Sequence, residues 1–138
     1  MNNPNDWNQS IINEFRANAG NVGGPFEGKT LLLLHTIGAK SEQERINPVA
    51  CIRDGEHYVI IASKGGAPDN PDWYYNIVAH PTVTIEFGAE MFQANAEIAP
   101  EPERTRLYAR MVEHMPSFAD YEKKTTRVIP VIILTRSK

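Results

Sequence analysis

Two cations and a hydroxyl group lie close together between two predicted strands. Lys40, Ser41 and Arg45 fall within residues 38–45 (GAKSEQER), here called the basic segment. An ammonium, a guanidinium, a hydroxyl and free backbone N–H groups can together bind a phosphate or a carboxylate. The two glutamates of the same segment weaken its positive field, and a solvated surface loop is the alternative interpretation. The basic segment is therefore a candidate binding site for a phosphate or a carboxylate group.

A second candidate site lies directly after a predicted strand, at residues 62–66 (ASKGG), here called the glycine segment. Two adjacent glycines allow a ligand to lie against the backbone, because no side chain stands in the way. Exposed N–H groups in such a stretch can bond carbonyl or anionic ring atoms. An ordinary glycine turn before the next helix is the alternative. The residues concerned are Ala62, Ser63, Lys64, Gly65 and Gly66.

The helix start that follows the glycine segment combines aromatic and amide side chains. Asn70 is a possible N-cap and Pro71 suits the first helical position. Trp73 and Asn76 lie on neighbouring positions of the first turns, where an aromatic ring and an amide can flank a planar ligand. Packing of Trp73 in the core is the alternative. This stretch therefore predicts one wall of a pocket.

Other chemistries find little support in the sequence. The four histidines (His35, His57, His80 and His114) are scattered, and none stands at metal-ligand spacing to another histidine or to Cys51. We therefore expect no metal site. Cys51 shares its strand face with Val49 and is predicted to be a core residue. Serine-hydrolase and dinucleotide-binding signatures are absent.

Composition limits the class of protein. A chain of 138 residues with a net charge of −3 fits one domain and is a poor binder of nucleic acid, whose partners present a basic face. The basic residues Lys40, Arg45, Arg53 and Lys64 concentrate in the middle third, which suggests one anionic ligand. No apolar run is long enough to span a membrane, and the start shows no secretory signal. With a single cysteine, the chain is expected to be cytoplasmic.

Hydrophobic periodicity and turn residues predict the element order helix, three strands, short helix, two strands, helix, strand. The helices are predicted at 6–19 (with Asp6 as N-cap), 70–80 and 102–115, with a helical turn at 118–125. The strands are predicted at 29–36, 49–53, 57–63, 82–87, 90–98 and 129–135, with a loop at 37–46 and turns at Asp54-Gly55 and Gly88-Ala89. Tight turns between neighbouring strands indicate an antiparallel sheet. We therefore predict an α+β fold with a small six-stranded, mostly antiparallel barrel and flanking helices.

Three stretches, LLLLHTIGAKSEQERINPV, GEHYVIIASKGGAPDNPDWYYNIVAHPTV and FADYEKKTTRVIPVIIL, together resemble the deazaflavin-dependent nitroreductase and quinone reductase family, whose members use reduced coenzyme F420. The middle block, S-K-G-G followed by P-x-W-x-x-N-[LI], is the most specific part. The resemblance runs from about Lys29 to the C-terminus. It implies a split β-barrel related to flavin-binding barrels, built as a single domain (1–138) with an N-terminal helix and loop at 1–28 and a barrel core at 29–138.

The resemblance also implies roles for particular residues. Lys40, Ser41 and Arg45 match the loop that holds the coenzyme's phosphate and acidic tail. Ala62, Ser63, Lys64, Gly65 and Gly66 match the segment along the deazaflavin ring, and Pro71, Trp73 and Asn76 match the helix start that completes the pocket. The family's usual loop reads close to G-R-K-S-G-x-x-R, whereas this chain has Ala39 for the arginine and Glu42 for the glycine. These departures predict weaker binding of the coenzyme's acidic tail.

The implied reaction transfers a hydride from the reduced deazaflavin to a quinone, an enone or a nitro-aromatic compound. The cofactor supplies the chemistry, while the protein binds and orients it. Tyr121 is the candidate proton donor, with a packed core role as the alternative. Met115 and Phe118 stand where nitroimidazole reductases have tyrosines, which favours quinones and enones. Two other functions remain open: a coenzyme carrier without turnover, and an enzyme that uses flavin mononucleotide on the same barrel.

The apolar face of the first helix (Trp7, Ile11, Ile12 and Phe15) allows three placements. It can touch a membrane interface, cover the substrate mouth as a lid, or dock on the barrel. Because its polar face lacks a cluster of basic residues, docking is the expectation. We predict a small-molecule acceptor as partner, no nucleic acid, no integral membrane segment, and a monomer or weak homodimer.

Overall fold

The computed structural model describes residues 4–24 and 30–137, the side chains of residues 4–7 excepted. Within these ranges six strands and four α-helices follow one another in the predicted order. The helices are α1 (Pro4–Ala17), α2 (Asp72–Ala79), α3 (Glu103–His114) and α4 (Ser117–Lys123). The strands are β1 (Leu31–Ile37), β2 (Glu44–Asp54), β3 (His57–Ile61), β4 (Thr82–Phe87), β5 (Glu90–Ile98) and β6 (Val131–Arg136).

The six strands form a closed barrel in the order β1-β2-β3-β6-β5-β4, in which every neighbouring pair is antiparallel. Three pairs are sequence neighbours joined by short connections, whereas β6 comes from the end of the chain and lies between β3 and β5. Closure leaves no free strand edge. The predicted fold class, an α+β protein with a six-stranded antiparallel barrel, is confirmed.

The apolar run of β1 is buried on both faces of the sheet. Leu32 and Leu34 point into the barrel core, whereas Leu31 and Leu33 pack outside it against α1. Strands covered on both faces read as continuous apolar runs rather than alternating ones. The same logic holds on the other side, where α3 and α4 cover the outer faces of β3 and β6.

Helix α1 docks on the barrel through the apolar face that the sequence predicts. Ile11, Ile12 and Phe15 are buried against Leu31 and Leu33, so these side chains are withdrawn from any membrane surface. Trp7, the fourth residue of that face, lies outside the described side chains. No helix among the described residues is long and apolar enough to cross a bilayer.

Two sequence-based boundaries, the start of β2 and the turn of the first hairpin, were wrong. Strand β2 begins at Glu44, so Arg45 is paired with Thr36 of β1 and does not lie in a loop. Ladder pairing selects this longer strand, because β1 offers backbone partners as far as Ile37. The turn after β2 uses Gly55 and Glu56, since Asp54 still pairs with His57.

Two predicted N-caps were also wrong. Helix α1 already begins at Pro4, so Asp6 lies inside it. Helix α2 has Pro71 as its N-cap residue and no side-chain cap. The Asn70 side chain instead accepts a hydrogen bond from Arg127 at 2.5 Å. Asn70 therefore bonds an arginine that is distant in sequence instead of capping the helix.

Candidate functional site

One large cleft, of about 1080 Å³, opens between α1, the β1–β2 connection and α2. We call it the main cleft. Helix α1 contributes Asn8, Gln9, Ile12 and Arg16; the β1–β2 region contributes Gly38, Ala39, Lys40, Ser41, Glu44, Arg45, Ile46 and Asn47; α2 contributes Asp72, Tyr75 and Asn76. Of the predicted site residues, Lys40, Ser41, Arg45 and Asn76 therefore share this cleft. The apolar face of the first helix suggested a cover over the substrate mouth as one placement, but its polar residues in the cleft were not predicted, because their approach depends on how that helix docks.

The turn inside the basic segment is closed by its own backbone. Gly38 N–H donates to the carbonyl of Gln43 at 2.8 Å, and Glu42 N–H donates back to the carbonyl of Gly38 at 3.0 Å. The Ser41 hydroxyl accepts from Gln43 N–H at 3.2 Å. Glu42 has φ of +58°, a left-handed conformation that favours glycine. The Glu42-for-glycine departure noted in the sequence therefore falls on a position with a backbone reason for glycine.

The charges in the main cleft are mixed. Lys40 and Arg45 are exposed, and neither forms an ion pair with any other described residue. Glu44 and Asp72 line the same cleft with the opposite sign. Lys40 and Arg45 are consequently available to an anion, in a field that the two carboxylates reduce.

The third cation of the cleft, Arg16, forms an ion pair with Glu86. Its guanidinium donates two hydrogen bonds to that carboxylate, at 2.7 and 3.0 Å, and the carboxylate also accepts a hydrogen bond from His35 Nε2 at 2.6 Å. Glu86 is 7 % exposed. The bond from Arg16, aided by that to His35, lowers the pKa of Glu86 against the opposing effect of burial. This network fixes α1, one wall of the cleft, to strands β1 and β4.

Asn76 is buried, and its amide connects α2 to the basic segment. Its Oδ1 accepts from Ala39 N–H at 2.9 Å, and its Nδ2 donates to the Thr36 hydroxyl at 3.0 Å. The amide thus holds the backbone beside Lys40 in place. One donor hydrogen of the amide has no partner in these two bonds.

The glycine segment contains three successive residues with left-handed backbone conformation. Lys64, Gly65 and Gly66 have φ of +49°, +64° and +87°. A Cβ built on Gly65 would meet no atom within 4 Å, so this backbone borders open space. A Cβ on Gly66 would instead come within 3.1 Å of the Tyr121 carbonyl and closer still to Lys124. The two glycines are therefore required for different reasons: one for the backbone alone, the other also for the packing of α4.

The remaining predicted residues lie near this turn but do not line the main cleft. Ala62 is fully buried in the barrel core, and the Trp73 side chain packs in the same core at 7 % exposure. Ser63 is buried, Lys64 is exposed, and Pro71 is half-buried at the start of α2. Helix α2 links the two parts, because it follows the glycine segment and three of its residues line the cleft.

Arg127 is the residue in this region that sequence reasoning missed. Its guanidinium donates to the backbone carbonyls of Ala62, Ser63, Ala67 and Asp69 at 3.0–3.1 Å, and to the Asn70 side chain. The available signal was an arginine four residues before the apolar strand β6. That signal does not name a partner 60 residues earlier in the chain.

Tyr121 lies on α4, the helix that packs on the glycine segment. Its half-buried ring makes an edge contact with Phe118 at 5.0 Å between centroids. Its backbone carbonyl stands beside Gly66. Cys51, by contrast, is buried in the barrel, and burial raises the pKa of its thiol to about 12, so it remains protonated and unreactive near neutral pH.

Residues 7–136 match the family described as F420H(2)-dependent quinone reductase. The chain belongs to this family. A Mycobacterium tuberculosis F420H2-dependent quinone reductase is 40% identical over 126 residues, covering 88% of this chain and 85% of that protein. A solved F420-H2-dependent reductase, FDR-A, is 37% identical to this chain and superposes with a TM-score of 0.70. The alignment covers 75% of this chain and 92% of the FDR-A chain. Another solved chain, described as a domain-swapped dimer, is 31% identical with a TM-score of 0.72 and coverages of 96% and 99%.

Family membership and fold confirm several sequence-based predictions. The chain is an oxidoreductase of the F420H2-dependent quinone reductase family, its cofactor is coenzyme F420, and its fold is the split β-barrel of F420-dependent reductases. Neither alternative function, the carrier without turnover or the flavin mononucleotide enzyme, gains support from these relatives.

Proposed function

We propose that this protein reduces a quinone at a site that uses both the basic segment and the glycine segment. The anionic tail of the coenzyme binds Lys40, Ser41 and Arg45 in the main cleft, and its planar ring lies along residues 62–66. The supporting observation is that the cleft holds Lys40 and Arg45, unpaired among the described residues, and that α2, which lines this cleft, follows the glycine segment, where the backbone of Gly65 borders open space. Helix α2 connects the two regions through Asn76, Trp73 and Pro71.

The residues present suit a flat, negatively tailed group. A volume of about 1080 Å³ is large enough for a coenzyme-sized ligand. Lys40 and Arg45 supply charge, and the open space above Gly65 leaves room for ring atoms to touch the backbone. The reduced deazaflavin, when bound, supplies the hydride.

The protein's own contribution to the reaction is binding, orientation and proton supply. Arg45 and Lys40 fix the charged end, and Asn76 holds the backbone beside Lys40 through Ala39 N–H. The left-handed turn at Lys64–Gly66 would hold the ring and orient it towards the acceptor. Tyr121, on the helix that packs on Gly66, donates the proton that a reduced quinone oxygen requires.

The decisive experiment mixes the purified protein with F420H2 and menadione and follows oxidation of the coenzyme by its absorbance. We expect protein-dependent, saturable oxidation. Parallel titrations with F420, flavin mononucleotide and nicotinamide cofactors compare affinities directly. Tight F420 binding without turnover on quinones, enones or nitro-aromatic compounds would identify a carrier instead, and a protein that purifies yellow with bound flavin would identify the flavin enzyme.

We also propose that the enzyme acts in the cytoplasm as a monomer or weak homodimer. The single, buried Cys51 suits a reducing compartment. The solved relative described as a domain-swapped dimer supports dimerisation of this barrel. Light scattering over a range of protein concentrations would measure the monomer–dimer equilibrium.

A further inference from the structure

Arg127 makes an unusual set of hydrogen bonds, all of them to one short stretch of chain. Nε donates to the Ala67 carbonyl at 3.0 Å, and Nη1 donates to Asn70 Oδ1 at 2.5 Å. Nη2 lies 3.0–3.1 Å from three carbonyl oxygens, those of Ala62, Ser63 and Asp69. The planar fork of an arginine suits this convergence, whereas a lysine ammonium cannot reach acceptors spread across such a width.

These bonds enclose the left-handed turn of the glycine segment. Ser63 precedes the turn and Ala67 follows it, and Arg127 bonds the carbonyl of each. Within the turn only two backbone bonds act, Gly66 N–H to the Ser63 carbonyl and Ala67 N–H to the Lys64 carbonyl. Arg127 therefore joins the two ends of a turn that has few bonds of its own.

The turn needs such support because part of its backbone is unfavourable. Lys64 carries a side chain at φ of +49°, which is sterically disfavoured for any residue with a Cβ. Conformations of this kind persist only where surrounding contacts determine them. The hydrogen bonds from Arg127 and the packing of α4 on Gly66 are the contacts that hold this turn.

We propose that Arg127 is a positioning residue for coenzyme binding: it holds the Lys64–Gly66 turn in the shape that receives the ring, without touching the ligand. This inference rests on the proposed function. The Arg127 guanidinium faces the backbone carbonyls of residues 62–69, so Arg127 acts on the coenzyme site through that backbone. Loss of Arg127 should release the turn and weaken coenzyme binding more than it weakens the barrel.

Arg104 provides a matched control. It too is a partly buried arginine that donates to a backbone carbonyl, that of Ile129 at 3.0 Å, and it also contacts Glu122 at 3.3 Å. It makes no hydrogen bond to residues 62–70. Arg104→Met therefore removes a comparable structural contact while leaving the turn intact.

The test compares wild type, Arg127→Met, Arg127→Lys and Arg104→Met by two measurements. The first is calorimetric affinity for oxidised F420, and the second is amide hydrogen exchange over residues 62–70 without coenzyme. We expect Arg127→Met to raise the Kd at least tenfold and to speed exchange in this stretch. Arg127→Lys should fall between it and wild type, and Arg104→Met should stay within twofold of the wild-type Kd with unchanged exchange there.

The outcomes are distinct. If Arg127→Met binds F420 as Arg104→Met does, or exchanges no faster over residues 62–70, the inference is overturned while the proposed function stands. If wild type itself fails to bind F420, the proposed function and this inference both fall. Should Arg127→Met not fold, Arg127→Lys decides in its place: a wild-type Kd and wild-type exchange in this variant would overturn the inference.

Discussion

Gly66 and Lys124 lie in such close contact that a Cβ on the glycine would stand 2.9 Å from the Cβ of the lysine. The contact joins the glycine segment to the end of α4. Real Cβ atoms do not approach so closely, so the packing of these two elements requires glycine at this position. A Cβ on the neighbouring Gly65 would meet no atom within 4 Å, so only the left-handed backbone favours glycine there.

Alanine substitutions at the two glycines should therefore separate folding from coenzyme binding. Gly66→Ala adds a steric overlap to an unfavourable φ and should lower the free energy of unfolding by more than about 2 kcal/mol. Gly65→Ala adds a methyl group to open space and should cost only about 1 kcal/mol. Gly65→Ala should nonetheless weaken F420 binding, because the methyl group occupies space assigned to the ring. Urea unfolding and calorimetry check both; equal stability losses would contradict the packing argument.

Glu42 should lower both the stability of the fold and the affinity for F420. Glu42→Gly relieves a left-handed φ of +58° and should raise the free energy of unfolding by up to about 1 kcal/mol. It also removes a negative charge near Lys40 and should lower the Kd for F420. Glu42→Gln is the control, since it removes the charge but keeps the backbone penalty. Improved affinity without improved stability is expected for this control, as measured by calorimetry and thermal unfolding.

Charge reversal at the proposed coenzyme site, at Arg45 in its anion-binding part or at Lys64 in its ring-binding part, should weaken coenzyme binding far more than folding. Lys64 and Arg45 are exposed, so Lys64→Glu and Arg45→Glu should change the free energy of unfolding by less than about 0.5 kcal/mol. Each should raise the Kd for F420 at least tenfold, an effect that added salt reduces. Arg136→Glu, on an exposed part of β6, is the control and should leave the Kd unchanged. Unaltered calorimetric affinity in both test variants would show that the anion binds elsewhere.

The pair formed by Arg16 and Glu86 should make stability depend on pH in the acid range. Because the pKa of Glu86 is lowered from its ordinary value of 4.5, the pair stabilises the fold above about pH 4.5, and this contribution is lost as the pH falls through the lowered pKa. Arg16→Met should lose roughly 1–2 kcal/mol at pH 7, with a smaller difference from wild type at strongly acid pH. Arg136→Met, which removes an exposed pair with Glu90, should show neither effect. Urea unfolding at several pH values is the measurement.

Tyr121→Phe should separate proton supply from packing. The ring contact with Phe118 survives the substitution, so the free energy of unfolding and the Kd for F420 should stay near wild type. If the hydroxyl donates a proton, kcat with menadione should fall at least tenfold while the KM changes little. Steady-state kinetics at saturating F420H2 provides the measurement. An unchanged kcat would leave Tyr121 as a packing residue.

Sequence alone was sufficient for the order of elements and the class of fold. Apolar runs such as Leu31–Leu34 and turn residues such as Gly88 act locally, so their periodicity and conformational preference can be read directly. Strand pairing was harder at the edges: Arg45 was placed in a loop because its ladder partner, Thr36, lies on another strand. The local sequence does not reveal how far such a partner extends.

The residues of the candidate site divide in the same way. Lys40, Arg45, Gly65 and Gly66 were predicted as site residues from their types and spacing, because cations in a loop and glycine backbone are typical of ligand contacts. The tertiary structure alone decided that Arg127 encloses the glycine segment, that Asn76 holds the basic segment, and that α1 walls the cleft through Arg16 and Glu86. These contacts join residues about 40 to 70 positions apart, and only the closed barrel brings them within hydrogen-bonding distance.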